Sequence, residues 1–270
     1  MLSWAIWLLV TTLYAPVFID LYKSRWETID YTHAYFILPI SIWIAWRNLK
    51  NHNERNGSVS IFSLFLLIFG LLMFIFGWRQ DYGIITTFSL IPLLFGLTGF
   101  LYGVNTAKTL SFPILYLLLL VPPPLGVLDA ITIPMRQWAT TLSVGALKAL
   151  HYPILRDGLI ISIGSHEIYM GPACSGFRSL ITMISLGIVY AYVNKGAAKT
   201  KLALVLAIIP LALLGNLIRV MGVCMVTFHF GESIGHKFHD ISGFLIFLIL
   251  ILGLMGIQSL MEKIKNYETS

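Results

Sequence analysis

The amino-acid sequence predicts an all-α fold, a polytopic transmembrane bundle of about eight helices that forms one integral membrane domain over residues 1–270. The 270 residues are 57% hydrophobic and 11% charged, and the mean hydropathy is +0.83. Because soluble domains carry about 25% charged residues, soluble, disordered and fibrous proteins are excluded. A bilayer core requires about 20 apolar residues per helix. Eight stretches meet or approach that length: residues 3–19, 33–46, 61–78, 84–103, 107–121, 175–193, 202–228 and 241–261.

The basic residues indicate how these stretches cross the membrane. The first stretch begins near Met1 without a preceding Lys or Arg and ends without a small-residue cleavage pattern, which predicts a retained anchor rather than a signal peptide. With both termini in the cytoplasm, the inside loops carry nine basic residues against three acidic ones. Cytoplasmic loops are enriched in Lys and Arg, so the net charge of +6 reflects membrane orientation rather than nucleic-acid binding.

Residues 125–150 are apolar enough to form a ninth span, which would invert the topology of everything after them. They follow three consecutive prolines, Pro122–Pro124, and they carry Asp129, Arg136 and Lys148. Since the distribution of basic residues favours eight spans, we predict an interfacial or re-entrant helix on the outer face of the membrane.

A small outer β-hairpin is predicted directly after this helix. The segments 158–163 and 166–170 flank Gly164 and Ser165. Glycine at the first position of a two-residue loop suits a type II′ turn. The hairpin would lead through Gly171 into the sixth span.

Cys174 opens the sixth predicted span. In the first turn of a helix, free N–H groups and the helix dipole favour a thiolate, the reactive form of cysteine. Arg178 lies four residues later on the same helix face and would add a positive charge near the sulfur. Cysteine is also a common small packing residue, and Cys224, in mid-span without a charged neighbour, is interpreted as packing.

Arg219 lies inside the apolar seventh span. Insertion of an arginine at the centre of a span costs about 2.5–3.5 kcal/mol, so such a residue usually faces a polar partner or a functional site. Asn216 lies three residues earlier on the same helix face. The pair predicts a polar stripe that faces the interior of the bundle, while neutralisation of a carboxylate is the simpler alternative.

A polar cluster follows the seventh span and comprises His229, Glu232, His236, His239 and Asp240. A zinc site made by the three histidines is a weak alternative, because no His-Glu-x-x-His helix accompanies them. One histidine acting as a general base is the simpler interpretation. The pattern alone leaves His236 and His239 open for that role.

Three ordered motifs on successive spans resemble those of the exosortase/archaeosortase family of membrane transpeptidases. These are Ala173–Ser179, Asn216–Arg219 and His239–Gly243, and the upstream segments Tyr31–Pro39, Trp46–Arg47 and Pro153–Gly158 are also similar to that family. The resemblance covers nearly the whole chain. Because archaeal members tend to carry arginine at the third motif, His239 points to a bacterial exosortase.

The resemblance implies a role for each matching residue. Cys174 would be the nucleophile, Arg219 the stabiliser of the transition state or of the substrate carbonyl, and His239 the acid and base. Supporting positions would fall to Ser175, Arg178 and Asn216. No cofactor and no metal is implied.

The resemblance also implies a substrate and a location. Family substrates are exported proteins with a C-terminal sorting signal, which consists of a short Pro-Glu-Pro-type motif, one transmembrane helix and a basic tail. The active site would face the outer, periplasmic side of the bacterial cytoplasmic membrane, with membrane lipid around it and a lipid, a glycan or water as the acceptor. The alternative from another class is a transporter or flippase in which Asn216 and Arg219 line the path.

Overall fold

The computed structural model describes residues 2–23, 33–50, 60–193 and 198–268. The start of the upstream motif, Tyr31 and Thr32, lies outside the described residues. The chain divides into two compact units, Met1–Pro124 and Leu125–Ser270. The prediction of a single domain over residues 1–270 stays a prediction.

The described residues of the first unit form helices. They are α1 (Leu2–Leu21), α2 (Ala34–Lys50), α3 (Ile61–Arg79), α4 (Gly83–Phe88), α5 (Leu90–Tyr102), α6 (Val104–Thr109), α7 (Ser111–Tyr116) and a 3₁₀ helix (Leu117–Leu120). Helices α3 and α5 approach closely at glycines, since a Cβ added at Gly96 would lie 2.2 Å from the backbone nitrogen of Leu67. A hydrogen bond of 2.6 Å between the hydroxyls of Tyr14 and Ser89 joins α1 to the junction of α4 and α5.

The second unit contains α8 (Leu125–Ala149), three short strands, a 3₁₀ helix (Pro172–Ser175) and the helices α9 (Phe177–Val193), α10 (Ala198–Phe230) and α11 (Glu232–Glu268). The helix predicted over 125–150 is therefore confirmed as a helix. Its interfacial or re-entrant placement stays a prediction. Gly231 alone separates α10 from α11, and its positive φ of 84° favours glycine there.

Helical structure covers most of each of the eight predicted spans, with three differences in continuity, of which the one in the sixth stretch is a break at Gly176. The fourth stretch is divided at Ser89, and the fifth is divided into α6, α7 and the 3₁₀ helix. Among the described residues, four helical segments are long and apolar enough to cross a membrane: Trp4–Leu21, Ile61–Arg79, Gly83–Tyr102 and Thr200–Phe230. Ser111–Leu120 and Phe177–Val193 are shorter apolar helices. The eight-span count stays a prediction.

The three strands form an antiparallel sheet in the order β1 (Ile154–Asp157), β2 (Ile160–Ile163) and β3 (His166–Tyr169). The predicted hairpin of β2 and β3 is confirmed, with Ile163 paired to His166 across the two-residue loop. Gly164 has a positive φ of 59° and Ser165 does not, as a type II′ turn requires. Strand β1 was not predicted, because Ile154–Asp157 has two apolar residues followed by two charged ones rather than the alternation of a half-buried strand.

The sheet packs on α8 and α10 through a hydrophobic core. Its buried members are Val144, Leu147, Ile154, Ile161, Ile163, Met170, Val220 and Cys224. Cys224 is 1% exposed, which confirms that this cysteine is a packing residue. The core fixes the sheet against α10, and the chain leaves the sheet directly into the segment that carries Cys174.

Candidate active site

A cavity of about 460 Å³ lies within the second unit. Its wall is formed by β3 and the residues that follow it, by α10 and by the first turns of α11. The lining includes Glu167–Gly171, Cys174, Asn216, Arg219, Val220, Val223, Cys224, Thr227, Glu232, Gly235, His236 and His239. The three residues predicted to be catalytic therefore share one cavity.

Cys174 lies in the 3₁₀ helix, and its backbone N–H donates a hydrogen bond of 3.0 Å to the carbonyl of Gly171. Gly176 then adopts the left-handed conformation, with φ 76°, and α9 begins only at Phe177. The hydroxyl of Ser175 accepts the N–H of Phe177 at 3.1 Å, so Ser175 supports the start of α9.

This geometry corrects two predictions about the surroundings of the thiol. Cys174 does not lie in the first turn of an α-helix, because Gly176 interrupts the helix before α9. For the same reason Arg178 is not four residues along one helix from Cys174. Arg178 is exposed and is not among the residues that line the cavity.

Asn216 holds the backbone of Cys174 in place. Its side chain is buried, and its Nδ2 donates a hydrogen bond of 3.1 Å to the carbonyl of Cys174. A Cβ added at Gly176 would lie 2.6 Å from Cγ of Asn216. Glycine is therefore required at 176 both for its positive φ and for this close approach.

His239 is the histidine that meets the thiol. Its Nε2 lies 3.5 Å from Sγ of Cys174, within hydrogen-bonding distance for sulfur. His236 lines the same cavity. The structure thus separates the two histidines that the sequence pattern left open, and it places His239 beside the sulfur.

Arg219 contacts the same imidazole nitrogen that lies beside the sulfur. One terminal nitrogen, Nη2, lies 3.2 Å from Nε2 of His239 and donates to its carbonyl oxygen at 3.1 Å. Nε of Arg219 donates to the hydroxyl of Ser242 at 3.3 Å, and that hydroxyl donates to the same carbonyl at 2.9 Å. The predicted polar stripe of Asn216 and Arg219 is confirmed as a lining of the cavity.

Burial dominates the electrostatics of the thiol. It raises the pKa of Cys174, which precedes the sixth predicted span, above its ordinary value. The charge of Arg219, the backbone hydrogen bond with Gly171 and the charge of Arg136 all lower that pKa, but by less. The prediction of a resting thiolate was therefore wrong, because desolvation outweighs the positive groups.

His239, which precedes the last predicted span, is shifted in the direction that suits a base. Burial and the charge of Arg219 lower its pKa, and Asp240 opposes them. A neutral imidazole therefore faces a protonated thiol. With Nδ1 protonated toward Oδ1 of Asp240, 3.5 Å away, Nε2 is the unprotonated nitrogen, and both Sγ of Cys174 at 3.5 Å and Nη2 of Arg219 at 3.2 Å lie within reach of it. This pair can transfer the thiol proton at the moment of nucleophilic attack.

Sequence reasoning did not assign Arg136 to the site. It lies in α8, it is 6% exposed, and its charge acts on the thiol of Cys174. Its Nε has no hydrogen-bond partner among the described residues. The available signal was a basic residue in an amphipathic helix, which indicated only that the helix does not span the membrane.

The histidines do not assemble the alternative zinc site. His229 lies 3.2 Å from the hydroxyl of Tyr152 and packs edge-on against the ring of Phe228. Within the described ranges, no group of three or more His, Cys, Asp or Glu side chains is placed to hold one ion. The residues around Cys174 therefore form a thiol–imidazole–guanidinium arrangement.

Comparison with known proteins gives one family. A family model described as "Transmembrane exosortase (Exosortase_EpsH)" matches residues 26–256. No curated protein and no solved structure matches the chain. The matched range contains all the residues of the cavity.

Proposed function

Because this chain belongs to the transmembrane exosortase family, we propose that it is a membrane-embedded cysteine peptidase or transpeptidase that cleaves the C-terminal sorting signals of exported proteins. The observation that carries the proposal is the distance of 3.5 Å between Sγ of Cys174 and Nε2 of His239, with Arg219 in contact with the same imidazole. Nucleophile, base and a cationic donor are the groups that acyl transfer needs.

In the proposed reaction, Sγ of Cys174 attacks the scissile carbonyl while its proton passes to Nε2 of His239. The negative charge that develops on the carbonyl oxygen faces the guanidinium of Arg219, which stabilises it. The C–N bond then breaks, and His239 returns the proton to the leaving amine. The product is an acyl-thioester on Cys174.

A second nucleophile releases the acyl group. Water would give hydrolysis, and a lipid or glycan hydroxyl would give transfer to that acceptor. His239 takes the proton of this nucleophile as its oxygen bonds to the acyl carbon, and Cys174 leaves and is reprotonated. The neutral resting pair fits both halves of the reaction, because the imidazole accepts a proton in each attack.

The proposed location is the bacterial cytoplasmic membrane, with both termini in the cytoplasm and the cavity on the outer side. The enrichment of basic residues in the inside loops supports this orientation. The transmembrane helix of the substrate would approach from the lipid, while its basic tail would stay in the cytoplasm.

Intact-mass analysis of tailed envelope proteins tests this proposal. Cells carry the wild-type chain, Cys174→Ala or the matched control Cys224→Ala, and membrane abundance is measured for each. We expect the envelope proteins to lose the mass of the tail, and to gain the mass of any transferred group, only in cells that carry the wild type or Cys224→Ala. Equal masses with wild type and Cys174→Ala would refute the peptidase and favour the transporter.

A further inference from the structure

Strand β3 forms one edge of the sheet in the described part of the chain, since the strand order is β1-β2-β3. Its residues Glu167–Tyr169 also line the cavity that contains Cys174. An edge strand presents unpaired backbone groups to which another extended chain can add. Here the edge of β3 and the thiol of Cys174 line the same cavity.

The register shows which backbone groups point away from the sheet. Met170 donates its N–H to the carbonyl of Leu159 at 2.8 Å, and the antiparallel pairing continues from there through Ile168 and His166. In an antiparallel ladder, alternate residues bond to the neighbouring strand. The backbone groups of Glu167 and Tyr169 are therefore directed outward, although the carbonyl of Tyr169 already accepts the N–H of Gly171 at 3.0 Å.

We propose that an extended segment of the polypeptide substrate, next to its scissile bond, binds along β3 as a fourth strand. This inference rests on the proposed function, because it requires a polypeptide substrate. The main chain of the substrate would pair with Glu167 and Tyr169, and the pairing would hold the scissile carbonyl in the cavity with Cys174. Such strand addition supplies affinity through main-chain hydrogen bonds and leaves alternate side chains for specificity.

Two further observations favour this edge and this occupant. Tyr169 is 63% exposed, so it offers a large apolar surface to a substrate side chain on its face of the strand. The opposite edge is occupied differently: Arg156 of β1 donates to the carbonyl of Gly158 at 2.9 Å and bonds the hydroxyl of Thr141. No residue of β1 is among the described residues that line the cavity.

Proline substitution tests the edge itself. Glu167→Pro removes an outward N–H without breaking a bond to β2, and the ring obstructs an added strand. Glu167→Ala removes the same side chain but keeps the N–H, so it measures the contribution of the side chain. Arg156→Pro compared with Arg156→Ala is the matched control: the register also directs the N–H of Arg156 outward, on the edge away from the cavity, and the Ala variant accounts for the lost side-chain bonds to Gly158 and Thr141.

The probes are the exported proteins that keep their tails in Cys174→Ala cells, and the readout is the rate of tail loss in a pulse-chase, normalised to membrane abundance. We expect Glu167→Pro to be about 10-fold or more slower than Glu167→Ala, and Arg156→Pro to process at the rate of Arg156→Ala. Equal rates for Glu167→Pro and Glu167→Ala overturn the inference. If Glu167→Pro does not accumulate, the pair Tyr169→Pro and Tyr169→Ala gives the same comparison.

A crosslinking arm separates this inference from the proposed function. A photoreactive phenylalanine replaces Glu167 in the Cys174→Ala chain, and the crosslinked peptide is mapped by mass spectrometry. Crosslinks to residues just before the tail helix, absent when the probe replaces Arg156, support strand addition even if the wild type cleaves nothing. Cleavage that depends on Cys174, without such crosslinks, refutes strand addition and leaves the peptidase intact.

Discussion

The side-chain amide of Asn216 in α10 donates a hydrogen bond of 3.1 Å to the carbonyl of Cys174, 42 residues earlier in the chain. The next turn of α10 carries Arg219, which contacts His239. One helix therefore positions the backbone of the proposed nucleophile and the side chain of the proposed base. The position of the thiol relative to the imidazole depends on the packing of α10 against the 3₁₀ helix.

We expect Gly176→Ala to reduce both stability and processing. A left-handed conformation costs a non-glycine residue about 1–2 kcal/mol, and the new Cβ would lie 2.6 Å from Cγ of Asn216. Thermal unfolding of the purified protein and pulse-chase processing measure the two effects. Gly145→Ala is the matched control, because nothing lies within 4 Å of its added Cβ. Identical behaviour of the two variants would show that the Gly176 turn is not required.

The two cavity histidines should differ in their effect on catalysis. We expect His239→Ala to stop processing, because Nε2 of His239 is the nitrogen beside the sulfur, and His236→Ala only to slow it. The measurement is the rate of tail loss at equal membrane abundance. The opposite ranking would assign the base to His236.

Arg219→Lys should fold but cleave poorly. Lysine keeps the charge but lacks the planar fork that bonds Ser242 and His239 together. If the guanidinium acts as an oxyanion donor, its loss costs about 2.7–4 kcal/mol, a decrease of roughly 100- to 1,000-fold in rate. Normal turnover of Arg219→Lys at normal abundance would show that Arg219 contributes only a positive charge to the bundle.

The pH dependence should reflect a neutral thiol and a neutral imidazole. Because burial lowers the pKa of His239, processing should persist below pH of about 6.5 and fall only as the imidazole becomes protonated. Because burial raises the pKa of Cys174, the midpoint of its alkylation by iodoacetamide in the Cys224→Ala background should lie above the ordinary cysteine value of about 8.5. An alkylation midpoint below that value would show that Cys174 is a thiolate in the resting protein.

Arg136 should affect the pKa of the Cys174 thiol and leave the pKa of His239 unchanged. Its charge lowers the pKa of Cys174, so Arg136→Gln should move the alkylation midpoint to higher pH while the acid limb of processing stays in place. The Cys224→Ala chain with Arg136 intact is the reference. An unchanged midpoint at normal abundance would show that the Arg136 charge does not reach the sulfur.

The sequence predicted what depends on local pattern. Long apolar stretches predicted the helices, and Gly164 predicted the hairpin turn. The chemistry of Cys174 needed tertiary information, because a left-handed Gly176 interrupts the helix and burial reverses the expected direction of the thiol pKa. Arg136 was missed for the same reason, since no short spacing relates α8 to the 3₁₀ helix.

Because a single residue joins α10 to α11, the number of residues between Arg219 and His239 determines on which side of α11 the imidazole lies. These residues lie 20 positions apart, and only Gly231 within that interval is not helical. Each residue advances a helix by about 100°, so one residue inserted between Glu232 and His239 would turn the imidazole to another side of α11. Compensating rotation is restricted because α10 and α11 pack against each other. Sequence length in this interval is therefore as constrained as residue identity, and a chain with the right residues at the wrong spacing would fold into a bundle without a working centre.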